Sequence, residues 1–135
     1  MNAICKVAIL GGTGYIGKNM LNSIGDSYSL SARNNFSNFD EKTDVIVNLI
    51  GKVKSKNAKE FEVANVKIKK KVFKKFLVSD AQLLIHISTI GVIEELYSEE
   101  VITENSPYNP NSLYGISKAK GEKWLIDKIP SLPID

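Results

Sequence analysis

The sequence has little histidine and cysteine, and it lacks any long apolar run. Its 135 residues include one cysteine, Cys5, which cannot form an internal disulfide and which we expect to pack in the core. The one histidine, His86, lies in a predicted strand, and a packed residue explains it better than a ligand or a base. No apolar run approaches 18 residues, no signal pattern is present, and no metal-ligand spacing stands out. We therefore expect a cytoplasmic protein without a metal site or a membrane partner.

The excess positive charge is small and is gathered on one predicted helix. The net charge is +3, which is too small to imply a nucleic-acid partner without a focused patch. Lysines cluster in the helix predicted over Asn57–Val78, largely on faces other than its apolar stripe. No aromatic platform accompanies them, so a solvated helix face explains them better than a nucleic-acid interface.

Short apolar runs alternate with segments of helical periodicity along the whole chain. The predicted strands are Ile4–Leu10, Tyr28–Ala32, Asp44–Gly51 and Leu83–Ile87, and the predicted helices are Tyr15–Ile24, Asn57–Val78 and a segment from Asn111 or Ser112 to about Lys128. This alternation predicts an α/β fold with a parallel sheet and right-handed crossovers. The expected strand order is 2-1-3-4, with a ligand crevice beyond the carboxyl ends of strands 1 and 3.

Three glycines follow the first strand with the spacing G-x-x-G-x-x-G. Gly11 permits a tight turn at the strand end, Gly14 lets the backbone approach a pyrophosphate, and Gly17 lets the next helix pack close to the strand. The helix amino terminus that follows offers unpaired N–H groups and partial positive charge to a phosphate. The turn therefore predicts a dinucleotide site, although a plain strand–turn–helix would have the same spacing.

Two polar clusters predict the chemistry of a site. Tyr114 and Lys118 are four residues apart on a predicted helix and share one face. An ammonium beside a phenol favours the phenolate, which suits Tyr114 to general acid/base work, and Lys118 can also reach a cofactor ribose. Thr89 ends a strand and can donate a hydrogen bond to a reacting oxygen. Asn65 either hydrogen-bonds a neighbouring loop or is a polar residue at the boundary of the apolar stripe.

The combination GGTGYIG, VNLIG, HIST and YGISKAKGE resembles the extended short-chain dehydrogenase/reductase family of NAD(P)-dependent sugar-nucleotide epimerases, dehydratases and reductases. The resemblance implies one NAD(P)-binding Rossmann-like domain over residues 1–135. It implies that Gly11, Gly14 and Gly17 hold the cofactor diphosphate. The residues implied to complete the cofactor site are Thr13, Tyr15 and Ile16 in the turn, and Asn48, Leu49 and Gly51 on the ribose and nicotinamide side, together with Tyr114 and Lys118. Thr89, Tyr114 and Lys118 form the implied catalytic trio.

The sequence departs from the family pattern in three places. Arg33 stands where many NAD-using members have an acidic residue, so NADP is the first choice and NAD the second. Residues 34–43 are too few for the usual helix, strand and helix, so the sheet is expected to be shortened at one edge. The C-terminal region that builds the substrate pocket is absent, and the sheet is therefore expected to be truncated there and to expose apolar surface that favours self-association.

Two functions follow from this pattern. The first is the cofactor-binding part of an NAD(P)-dependent oxidoreductase or epimerase that acts on a nucleotide sugar by hydride transfer, with the sugar bound only if the missing region exists. The second is a non-catalytic NADP-binding module, which acts as a redox sensor or as a subunit of a complex. The isolated chain is expected to bind cofactor and to turn over poorly.

Overall fold

A computed structural model describes residues 5–93, 99 and 101–131 of the chain. Four strands form one parallel sheet in the order β2-β1-β3-β4, which confirms the predicted fold class and strand order. The strands are β1 (Val7–Leu10), β2 (Ser27–Leu30), β3 (Val45–Asn48) and β4 (Leu83–His86). The helices are α1 (Tyr15–Ser23), α2 (Ala58–Glu62), α3 (Ile68–Leu77) and α4 (Leu113–Ile126), with short 3-10 turns at Ile90–Val92 and Ile129–Ser131.

The first strand is the centre of the core. All four residues of β1 are buried, as the continuous apolar run predicts for a strand that is covered on both faces. Val7 and Ile9 form a buried cluster with Val47 of β3, and Met20 and Leu21 of α1 pack against it. Since β1 pairs with both β2 and β3, its carboxyl end lies beside the carboxyl ends of two neighbours.

The observed elements are shorter at their ends than the predicted ones, and this changes the place of the cysteine. β1 begins at Val7, and Cys5 is exposed, so the predicted core packing of Cys5 is wrong. The residue between them, Lys6, donates its backbone N–H to the Asp44 carboxylate at 2.7 Å, and its ammonium pairs with Asp40 at 2.6 Å. These polar contacts hold the chain at the sheet margin before the apolar strand begins. The sequence also predicts the first step of a further strand at Ile134 and Asp135, and these two residues lie outside the described ones.

The short connection between β2 and β3 folds as a series of turns. Asn35 and Phe36 have positive φ angles of 49° and 60°, and the ring of Phe36 is buried. The hydroxyl of Tyr28 in β2 lies 2.8 Å from the Thr43 hydroxyl and accepts the Asp40 backbone N–H at 3.0 Å. This segment has no helix or strand, and β2 is an edge strand, as the shortened sequence predicts.

A π-helical turn interrupts the long helix that the sequence predicts over Asn57–Val78. The helical residues run from Ala58 to Leu77, and Val63–Lys67 form the π-helical turn between α2 and α3. Asn57 caps the start of α2 by accepting the backbone N–H of Lys59 at 2.9 Å. No helix within the described ranges is long and apolar enough to cross a membrane.

The described residues divide into two compact units. The first comprises residues 5–50 and 71–87 and contains the whole sheet, α1 and most of α3. The second comprises residues 51–70, 88–93, 99 and 101–131 and contains α2, the π-helical turn and α4. The prediction of a single NAD(P)-binding domain over residues 1–135 stays a prediction.

Candidate functional site

The glycine turn of the first unit has the backbone geometry that its spacing predicts. Gly11 has φ +84°, a left-handed conformation that favours glycine, and its carbonyl accepts the Gly14 N–H at 3.0 Å. Gly14 caps α1, and its carbonyl accepts the Lys18 N–H at 2.9 Å. A methyl group on Gly17 would collide with the backbone of Gly11, so glycine is required there for α1 to approach β1.

Gly14 differs from the other two glycines because its backbone conformation does not require glycine and only one atom of the chain crowds it. Its φ is −77°, which any residue adopts, and an added methyl group would make one tight contact, with the Gly11 carbonyl oxygen at 3.3 Å. The turn faces solvent, with Tyr15 87% exposed and Thr13 and Ile16 also exposed. The first backbone N–H groups of α1 have no partner within the helix, and they carry the positive end of its dipole. The turn can therefore bind a phosphate through its backbone N–H groups. A side chain on Gly14 would obstruct this binding.

The end of β3 lies against this turn within the same unit. The Leu49 N–H donates to the Leu10 carbonyl at 3.0 Å, and a methyl group on Gly11 would lie 3.3 Å from the Leu49 backbone. The buried side chain of Asn48 accepts the Ile50 N–H at 3.1 Å, and its amide nitrogen lies 3.2 Å from His86 Nδ1. Two of the predicted cofactor residues, Asn48 and Leu49, are thus held by hydrogen bonds beside the glycine turn.

Arg33 is exposed in the turn that follows β2. It makes no ion pair with any residue in the part of the chain that the structure describes. This connection is joined to β2 by Asn38, whose amide donates to the Ser29 carbonyl at 2.8 Å. A guanidinium that is exposed on such a turn is able to bind an anion such as a phosphate.

In the second unit, α4 carries the Tyr114–Lys118 pair. The helix begins where Ser112 accepts the Gly115 N–H at 3.0 Å, and both residues of the pair lie within it on one face. Tyr114 is half-buried, and Lys118 is only 5% exposed. Burial lowers the pKa of Lys118 from its usual value, and the charge of Glu122 partly opposes that effect. Its ammonium lies close to Gly51, because a methyl group built on that glycine would be 3.8 Å from Lys118 Nζ.

Asn65 links three segments of the second unit. Its side-chain oxygen accepts the Lys52 N–H at 2.8 Å, and its amide nitrogen donates to the Lys52 carbonyl at 3.1 Å and to the Ser117 hydroxyl at 2.8 Å. The Ser117 hydroxyl in turn donates to the Tyr114 carbonyl at 2.8 Å. Of the two readings left open by the sequence, the hydrogen bond to a neighbouring loop is therefore the correct one. Asn65 lies in the π-helical turn, a feature that is common at functional sites.

Thr89 lies on a cavity of about 570 Å³ that belongs wholly to the second unit. Its hydroxyl accepts the Gly91 N–H at 3.3 Å, and this leaves the hydroxyl proton able to donate. The cavity is lined by residues of the segments 88–93 and 102–108 and by one residue of α4, Glu122. Of the three residues predicted to be catalytic, only Thr89 is among those lining residues.

Glu122 is an acidic residue that lines this cavity and was not predicted from the sequence. The Ser88 hydroxyl donates to its carboxylate, and the Tyr108 side chain lies close enough to feel its charge. Burial raises the pKa of Tyr108 to about 12, and the negative charge of Glu122 contributes to this rise. Glu122 lies one helical turn beyond Lys118, and this i,i+4 spacing is the signal that could have found it.

Lys69 was also missed by sequence reasoning. It is 3% exposed, whereas the lysines around it, such as Lys67 and Lys71, are exposed. Burial lowers its pKa to about 8, and the nearby charge of Lys118 adds to this effect. Lys69 lies four residues after Asn65, and the two share the buried face of the helix. Within the described ranges, no group of three or more histidine, cysteine or acidic side chains is close enough to hold a metal ion.

A parallel sheet of this order with a glycine turn after its first strand defines the Rossmann class of dinucleotide-binding folds. A scan against family models gives a match over residues 7–128 to the NAD dependent epimerase/dehydratase family. The chain belongs to this family, which confirms the resemblance to extended short-chain dehydrogenases/reductases. No curated protein sequence matches the chain significantly.

Solved structures with the same fold include three enzymes of low sequence identity. The UDP-Glc/GlcNAc 4-epimerase of Campylobacter jejuni is 22% identical, with a TM-score of 0.77, over 96% of this chain and 50% of its own. The UDP-glucuronic acid 4-epimerase of Bacillus cereus, in complex with NAD, is 18% identical (TM-score 0.73; 96% and 54%). RMD of Pseudomonas aeruginosa, complexed with NADPH, is 14% identical (TM-score 0.75; 91% and 48%). The chain therefore spans about half the length of these structures.

Proposed function

We propose that this chain is the nicotinamide-cofactor-binding part of an NAD(P)-dependent oxidoreductase or epimerase that acts on a nucleotide sugar by hydride transfer. The observation that carries the proposal is Gly14, whose φ angle any residue adopts and whose added methyl group would crowd only the Gly11 carbonyl oxygen. A ligand that approaches the backbone at Gly14 supplies a reason for glycine there, and the exposed helix N–H groups beside it suit a diphosphate. The family membership of the chain supports the same reading.

The proposed cofactor site has a separate group of residues for each part of the nucleotide. Gly11, Gly14 and Gly17 would hold the diphosphate, with Thr13, Tyr15 and Ile16 completing the turn. Asn48, Leu49 and Gly51 would border the ribose and nicotinamide. Arg33 would pair with a 2′-phosphate, which makes NADP the first choice and NAD the second. Related structures were solved with either nucleotide, and this supports the cofactor class without favouring one of the two.

The proposed chemistry uses three side chains of the second unit. When bound, the nicotinamide would accept or donate a hydride at a sugar carbon. Tyr114 would exchange a proton with the sugar hydroxyl or ketone at its phenolic oxygen. The Lys118 ammonium on the same helix face would favour the phenolate and bind the cofactor ribose, and the Thr89 hydroxyl would donate to the reacting oxygen.

The glycine pair Gly14 and Gly25 provides a matched test. Gly25 has no atom within 4 Å of the position of an added methyl group, so Gly25→Ala is a neutral control. Titration of the chain with NADPH and NADH, followed by the fluorescence of the reduced nicotinamide, should show binding that is tighter for NADPH. Gly14→Ala should keep its fold by circular dichroism and lose at least about tenfold in affinity, which is 1.4 kcal/mol. Binding by Gly14→Ala equal to that of Gly25→Ala would contradict the proposal.

The second candidate is a non-catalytic NADP-binding module, a redox sensor or a complex subunit. It is favoured by one observation, that Thr89 lines the cavity of the second unit and Tyr114 and Lys118 are not among its lining residues. Tyr114→Phe separates the two candidates. Under the enzyme proposal it should abolish nucleotide-sugar-dependent oxidation of NADPH while leaving the affinity for NADPH within a few-fold. A measurable activity of the wild type that Tyr114→Phe retains in full, with cofactor binding kept, would count against the enzyme proposal and favour the module.

A further inference from the structure

Lys69 is a buried amine for which the proposed mechanism has no use. It lies in the first turn of α3, directly after the π-helical turn, and its side chain reaches α4 where Gly121 lacks a side chain. A methyl group built on Gly121 would lie 2.9 Å from Lys69 Nζ and 3.2 Å from its Cε. The amine therefore occupies the space that a side chain at position 121 would fill.

The surroundings of this amine are charged but offer it no hydrogen bond. Among the described residues, no acceptor lies within hydrogen-bond distance of Lys69 Nζ. The charged groups that act on it are on α4, where Lys118 precedes Gly121 by three residues and Glu122 follows it. Lys118 is as deeply buried as Lys69, so water screens their mutual repulsion poorly.

We propose that Lys69 is a positioning residue for Lys118, and that the repulsion between the two buried ammonium groups holds the Lys118 ammonium on the Gly51 side of α4. The inference rests on the proposed function in one respect, that Lys118 serves the cofactor and Tyr114. Lys69 itself touches neither a substrate nor a cofactor under this proposal.

The position of Lys118 should then depend on the charge of Lys69. The pKa of Lys69 is lowered to about 8 by its burial and by the charge of Lys118, against the opposing pull of Glu122. Below that pH Lys69 is charged, and it repels the Lys118 ammonium away from Gly121. As the pH rises through this range, Lys69 loses its proton, and its contribution to the position of Lys118 disappears.

The test is NMR spectroscopy of the lysine side chains of the full chain, without cofactor, as a function of pH. In the wild type, one lysine should titrate near pH 8, and the nuclear Overhauser contact between Lys118 Hε and Gly51 Hα should weaken over the same range. Lys69→Met, which keeps the length of the side chain, should remove this titration and leave the contact weak at every pH. Lys67→Met, at an exposed position two residues away, should behave as the wild type.

A second variant keeps the proposal testable if Lys69→Met fails to fold. Lys118→Met should raise the pKa of Lys69, because the like charge beside it is gone. The inference is overturned if the pKa of Lys69 is the same with and without Lys118. It is also overturned if the Lys118–Gly51 contact of the wild type does not change with pH. These measurements need no cofactor, so the two proposals can fail separately. If the two lysines are coupled but the chain binds neither NADPH nor NADH, only the proposed function is refuted.

Discussion

Replacing Lys69 by methionine should stabilise the chain at neutral pH by an amount that shrinks as the pH rises. An ordinary lysine has a pKa of 10.5, and burial lowers that of Lys69 to about 8 in the folded chain. At 1.36 kcal/mol for each pH unit, holding this amine charged in the folded state costs about 3 kcal/mol. Methionine has nearly the same length and no charge, so it avoids this cost and retains most of the packing beside Gly121.

The sign of the pH dependence follows from proton binding in the two states. Between pH 8 and pH 10.5 the unfolded chain binds a proton at Lys69 that the folded chain does not, so the stability of the wild type rises with pH in that window. The advantage of Lys69→Met is therefore full below pH 8 and vanishes above pH 10.5. Urea unfolding at several pH values, followed by the fluorescence of Trp124, measures the difference between the two proteins.

Lys67→Met is the matched control, because Lys67 is exposed on the same helix and its replacement should change the free energy of unfolding by less than about 0.5 kcal/mol. Two results would refute the reasoning. One is a Lys69→Met variant no more stable than the wild type at pH 7. The other is a gain in stability that stays constant from pH 7 to pH 10.5, which would show that packing rather than charge produces it.

Three other predictions follow from the packing. Gly17→Ala places a methyl group against the carbonyl of Gly11 and should lower the free energy of unfolding by about 1–3 kcal/mol in urea titrations, and an unchanged midpoint would contradict this. Asn65→Ala removes three hydrogen bonds and should cost about 2–3 kcal/mol; hydrogen exchange at the Lys52 amide should accelerate with it, and unchanged protection would count against the link. The exposed apolar residues Leu83 and Ile85 of edge strand β4 should cause self-association in sedimentation velocity, whereas a clean monomer at high concentration would count against it.

Most of the sheet could be predicted from the sequence because its signals are local. The run Val7–Leu10 is apolar without interruption, and a strand buried on both faces needs that pattern. Gly11 and Gly17 were predictable for the same reason, since a positive φ angle and a close helix contact both require glycine at fixed spacing. The strand order follows from the alternation of strands and helices, which leaves few topologies open.

The features that escaped prediction depend on contacts between distant residues. Cys5 resembles a core residue by type, but the polar contacts of Lys6 with Asp40 and Asp44 keep Cys5 outside the sheet. The burial of Lys69 depends on the absence of a side chain at Gly121, more than fifty residues away. No local pattern distinguishes that lysine from the exposed ones beside it.

The π-helical turn Val63–Lys67 limits how the chain can change its length. Each residue of an α-helix rotates the next side chain by about 100°, and a π-helical turn holds one residue more than an α-helical turn of the same span. Deleting one residue from this turn can restore a regular α-helix, but the deleted residue cannot be Asn65, whose side chain makes three hydrogen bonds. Natural variants of this segment should therefore keep an asparagine at the position of Asn65, whether or not they keep the π-helical turn around it.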